Sequence, residues 1–118
     1  MRILRTLCLA LAFLLPAGAV LAHGELIDAS PKAGSVVAAA PSAVRLQVSE
    51  GIEARFSSLT VTGPDGKRVA TGRLEVQGAM MTVPFTRSLP PGRYRVDWRV
   101  LSVDSHKTQG AFTFEVRP

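Results

Sequence analysis

The chain has 118 residues, 47% of them hydrophobic and 19% charged, with a formal net charge of +5. That length holds one domain, and so apolar a composition excludes a disordered tail. Ten Gly, eight Pro and many β-branched residues favour sheet over helix, and exclude a coiled coil, a repeat array and a large two-domain enzyme.

Residues 1–22 read as a secretory signal peptide. Arg2 and Arg5 form a positive start, Leu7 to Leu15 an apolar stretch, and Pro16 and Gly18 break it before Val20-Leu21-Ala22. The apolar segment falls short of the roughly 20 residues that span a bilayer, so cleavage after Ala22 is expected, with no stable membrane insertion afterwards. Export without Arg2 and Arg5 leaves twelve Lys and Arg against nine Asp and Glu, a net +3 on a domain of residues 23–118. The remaining Arg residues are dispersed and few aromatics lie between them, which argues against a nucleic-acid surface. The only cysteine, Cys8, leaves with the signal. The exported domain therefore has no disulfide and depends on its core, or on a bound metal.

Turn signals then recur every 8–12 residues, the spacing of a small β-sandwich. The expected strands are 25–29, 44–49, 57–62, 67–73, 80–85, 93–102 and 109–116. Gly63-Pro64-Asp65-Gly66 is a turn with a mechanism: Pro presets φ, Asp bonds its own backbone and Gly accepts positive φ. The sixth strand has the clearest pattern, with Tyr94, Val96, Trp98 and Val100 alternating with Arg93, Arg95, Asp97 and Arg99. Phe112, Phe114 and Val116 alternate with polar residues in the same way. Leu89-Pro90-Pro91-Gly92-Arg93-Tyr94 resembles a tyrosine corner, in which the Tyr hydroxyl bonds backbone a few residues upstream. Trp98 falls on the same face, as core or as a wall beside a site.

Two histidines remain in the exported chain, His23 and His106. Asp104 precedes His106 by two positions, so in an extended segment both side chains share a face and can grip one ion. A free N-terminal His23 offers its α-amino group and ring Nδ1 as a chelating pair. Amine, two imidazoles and a carboxylate form a nitrogen-rich set that suits Cu(II) better than zinc, which favours tetrahedral sites, often with thiolates. Glu50 ends an alternating strand and can support a ligand histidine from behind. Met80 and Met81 are adjacent and point to opposite faces, so no thioether-rich Cu(I) site is visible. No cysteine nucleophile, phosphate-cradling glycine loop or G-x-S-x-G elbow is present. Ser102, Asp104 and His106 lie too close in sequence for a conventional catalytic triad.

Several segments together resemble the CopC/PcoC family of bacterial periplasmic copper-binding proteins. They are His23, Ser30-Pro31 with Gly34, Pro41, Leu46-Gln47-Val48-Ser49-Glu50, Leu89 to Tyr94, the run from Asp97-Trp98-Arg99-Val100 through Ser102 and Asp104 to His106, then Gly110 and Phe112-Thr113-Phe114. The resemblance covers the whole exported region. It implies an all-β fold: a seven-stranded Greek-key β-sandwich or barrel of immunoglobulin-like or cupredoxin-like type. It further implies a single Cu(II) site made by His23, Asp104 and His106 with Glu50 nearby, and a non-enzymatic role in sequestering or delivering copper in the periplasm. An inner-membrane copper transporter or a periplasmic multicopper oxidase is the implied partner. The chain departs from members with a methionine-rich Cu(I) loop, because 63–81 has no M-x-x-M or M-x-M run, and Lys107 stands where relatives often have Pro. Two other readings compete: a copper monooxygenase using an N-terminal His, and a metal-free immunoglobulin-like binding module.

Overall fold

A computed structural model describes residues 26–118. The signal peptide, the cleavage site after Ala22 and His23 lie outside the described residues. The described chain forms β1 (Leu26–Ser30), β2 (Val36–Val37), β3 (Ala43–Val48), a single 3₁₀ turn (Ala54–Phe56), β4 (Ser58–Thr62), β5 (Glu75–Gln77), β6 (Met80–Pro84), β7 (Gly92–Leu101) and β8 (Lys107–Val116). Two four-stranded sheets result, ordered β1-β3-β6-β5 and β2-β8-β7-β4. Their pairings are antiparallel except for β2, which runs parallel to the end of β8.

The alternation read from the sequence builds the core. Val44, Leu46, Val48, Met81 and Val83 of the first sheet meet Leu59, Val61, Tyr94, Val96, Trp98, Val100, Phe114 and Val116 of the second, and all are buried. Their alternate neighbours, among them Arg45, Gln47, Arg93, Arg95 and Arg99, stay exposed. Met81 is fully buried while Met80 is half-buried, as opposite faces require.

Eight strands form rather than seven, and the differences have local causes. The stretch 67–73 is not a strand. Lys67, Arg68 and Arg73 stay exposed, and the stretch pairs with the sheets through the isolated bridges Thr62↔Arg68 and Thr71↔Phe85 while Val69 packs on the core. Its place is taken by β5, which folds onto β6 through a two-residue turn at Gly78-Ala79, with Gly78 at φ 60° as such hairpins prefer. The two-residue β2 docks on Glu115 and Val116. Both additions are too short to show a period of two.

The tyrosine corner is present: the Tyr94 hydroxyl donates to the Pro90 carbonyl at 2.5 Å. The Tyr94 ring stacks on its cross-strand partner Phe114, with centroids 5.4 Å apart. Trp98 is core, only 2% exposed. Its cross-strand partner is Gly110, and a Cβ there would lie 2.8–2.9 Å from three indole atoms. A side chain at 110 and the indole cannot both fit without backbone shift.

Gly110→Ala is therefore expected to lower the urea midpoint at unchanged slope, by about 1–3 kcal/mol of overpacking strain. Tyr94→Phe is expected to cost about 1 kcal/mol through the lost hydrogen bond. Burial, then the charge of Asp65, raises the Tyr94 pKa. A raised acid pKa favours the folded state below the ordinary tyrosine range near ~10 and loses that contribution above it. Denaturation followed from pH 8 to pH 11 should show stability falling in the wild type, and falling less in Tyr94→Phe.

Candidate metal centre

β7 and β8 form an unbroken antiparallel ladder from Gly92↔Val116 to Leu101↔Lys107. The ladder ends in the loop Ser102–His106. Ser105 donates its backbone N–H to the Ser102 carbonyl at 2.9 Å, and Ser102 N–H donates to the His106 carbonyl at 2.9 Å. Ser105 sits at φ 70°, the left-handed residue expected where a turn closes a three-residue hairpin loop. The segment 51–53 clasps the other side: Val103 N–H donates to the Gly51 carbonyl at 2.9 Å, Glu53 N–H to the Leu101 carbonyl at 2.8 Å, and Ile52 bridges Ser102.

This turn brings Asp104 and His106 together. His106 Nδ1 lies 3.0 Å from Asp104 Oδ2, with the side chains 70% and 43% exposed. The sequence expectation of one shared strand face needs correcting in its cause: the segment is not extended, and the turn sets the convergence. The Ser102 hydroxyl closes the arrangement. It donates to Asp104 Oδ1 in a short contact and accepts the His106 backbone N–H at 3.1 Å. That hydroxyl first, and then His106, holds the Asp104 carboxyl below the usual carboxylate range. Asp104 is therefore ionised throughout the neutral and mildly acidic range. An ionised carboxylate has about four lone-pair positions, so these two bonds leave capacity for an ion.

The order of the chain matters. In a hydrolytic triad the imidazole stands between serine and carboxylate. Here the carboxylate stands between serine and imidazole, and the serine is buried. The arrangement orients a ring and does not activate a nucleophile.

Glu50 is exposed and immediately precedes Gly51, so it lies on the clasping segment beside the loop. No hydrogen bond or ion pair joins it to Asp104 or His106 among the described residues. Also among the described residues, no three His, Cys, Asp or Glu side chains converge to hold a metal. Among the described residues, Asp104 and His106 thus bring two ligand-type side chains into one cluster. Sequence reasoning missed Ser102 as part of it. The signal was available: Ser102 continues the buried parity of Tyr94, Val96, Trp98 and Val100, and a polar residue on an apolar face needs a partner.

The arrangement is that of a small β-sandwich displaying ligand-type side chains at one hairpin tip. The CopC domain family model matches residues 26–117. "Protein YobA" of Escherichia coli K12 is 44% identical over 96% of this chain and 96% of its own length. "Copper transport protein CutJ" of Bacillus subtilis is 31% identical over 80% of this chain but only 18% of its own length. The crystal structure of CopC from Methylosinus trichosporium OB3b superposes with a TM-score of 0.73 at 36% identity, covering 80% of this chain and 93% of that one. The chain belongs to the CopC family of copper resistance proteins, a family whose members bind copper.

An ionised carboxylate only accepts hydrogen bonds, so Nδ1 of His106 must carry the proton. Nitrogen-15 NMR of the metal-free protein at pH 8 should find His106 in the Nδ1–H tautomer. In Asp104→Ala the ring should return to a mixture of tautomers.

Proposed function

We propose that this protein is exported to the periplasm, loses residues 1–22, and binds one Cu(II) ion for sequestration or delivery, without catalysing a reaction. The observation that carries this reading is the Asp104–His106 pair, set 3.0 Å apart on an exposed, hydrogen-bonded hairpin tip. His23 supplies the remaining donors, its α-amino group and its ring. Leu26 pairs with Val48, so β1 enters the sandwich at the end where 49–53 and the 102–106 loop lie. Three residues extend at most about 11 Å, a span that keeps His23 within reach of that end. Glu50, on the same end, adds a negative charge that favours a bound cation.

Nitrogen and oxygen donors without thiolate or clustered thioether fit Cu(II), which also tops the divalent affinity order. An exposed pair suits an ion that must be handed on, because an incoming ligand can reach the metal before the outgoing ones release it. The likeness to CutJ supports a copper transporter rather than an oxidase as recipient. A segment like this chain forms a small part of a longer protein whose name is copper transport.

Protons compete with copper for the same donors. Asp104 is already ionised, so the pH dependence falls to histidine and the α-amine, groups whose ordinary values in free peptides are ~6.5 and ~7.7–8.0. Cu(II) affinity is expected to fall steeply between pH 7.5 and pH 5. Competition titration against a chelator of known affinity checks this, and a flat profile would sink the amine-and-imidazole site. Electron paramagnetic resonance of the processed protein should give one tetragonal signal with nitrogen coupling, lost in His106→Ala and altered when one residue is added before His23.

A further inference from the structure

Ser102 is the only polar residue in the buried set of the described chain, 3% exposed. Its hydroxyl has one proton and gives it to Asp104, the strongest acceptor it faces. Its oxygen takes the His106 backbone N–H at 3.1 Å, and its backbone N–H holds the His106 carbonyl at 2.9 Å. The same residue therefore fixes the carboxylate and the main chain of the histidine, from inside the sandwich. Its own position is set by β7 and by the Ile52 bridge. Asp104 and His106 are otherwise exposed side chains, and exposed pairs hold their geometry weakly against side-chain entropy.

We infer that Ser102 is the positioning residue of the copper site: its buried hydroxyl presets Asp104 and His106 in one arrangement before the ion arrives. This inference rests on the Cu(II) reading above. Outer partners of this kind change metal affinity about 10–100-fold when removed. Ser102→Ala leaves Asp104 Oδ1 without its donor and the His106 N–H without its acceptor, while keeping both candidate ligands. Ser102→Thr keeps the hydroxyl. Ile52→Val thins the core beside the same bridge and leaves the hydroxyl untouched.

The experiment compares the processed wild type with these three variants by Cu(II) titration, electron paramagnetic resonance and melting temperature. Ser102→Ala is expected to bind Cu(II) about 10–100-fold more weakly with a changed hyperfine pattern, and Ser102→Thr to recover most of the affinity. Ile52→Val should melt lower with affinity and spectrum unchanged. In the metal-free wild type, side-chain couplings should show one χ1 rotamer each for Asp104 and His106. That measurement tests the inference even if Ser102→Ala does not fold. Averaged rotamers in the wild type would overturn it. So would equal loss of affinity in Ser102→Ala and Ile52→Val at matched melting temperature, or an unchanged Ser102→Ala. A wild type that binds no Cu(II) would instead overturn the carrier reading itself.

Discussion

The β7–β8 ladder is the constraint on which the rest of the molecule depends. One of its faces supplies Tyr94, Val96, Trp98, Val100, Phe114 and Val116 to the core. One of its ends holds the candidate metal centre. Continuous pairing means that the register fixed by core packing at Val96 and Trp98 is the register that delivers Ser102 and His106 to their mutual hydrogen bonds. A slip of one residue would turn every core side chain outward, so the loop cannot drift without cost to the whole sandwich. The described chain contains no cysteine, and burial alone carries this load.

The centre itself is built on the opposite principle. Its two candidate donors face water, and only the serine beneath them is buried. Exposed charge pairs add little to stability. The Asp104–His106 contact is therefore better understood as a set geometry than as a fastening. A buried floor under an open pair leaves both side chains accessible from solvent.

Most of this was legible in the residues, for identifiable reasons. Strands β3, β4, β6, β7 and β8 each bury one face against the other sheet, which imposes the period of two seen at Leu46, Val61, Met81, Trp98 and Phe114. Asp104 and His106 were legible as ligand types, though their convergence was credited to strand alternation when a turn with Ser105 at positive φ produces it. The stretch 67–73 imitates a strand in sequence because apolar Val69 follows Lys67-Arg68, but no ladder forms: two isolated bridges and the packing of Val69 on the core hold it. β2 and β5 were illegible because two or three residues carry no periodicity, and the pairing of β2 is decided by a distant partner, Glu115. Ser102 stood out only as an exception to an apolar pattern, and what an exception does depends on what the fold puts above it.

The hairpin tip has a further consequence for how such a domain changes over time. Val103, Asp104, Ser105 and His106 are all exposed, and the core closes beneath them at Ser102 and Ile52. Replacing an exposed residue outside special backbone positions usually shifts stability by no more than about 0.5 kcal/mol. Position 103 can therefore change without compensating changes inside, whereas a change at 104 also removes the acceptor of the buried Ser102 hydroxyl. The tip can thus change at Val103 while the interior stays the same, and a change of side chain at 104 is felt one layer down, at Ser102.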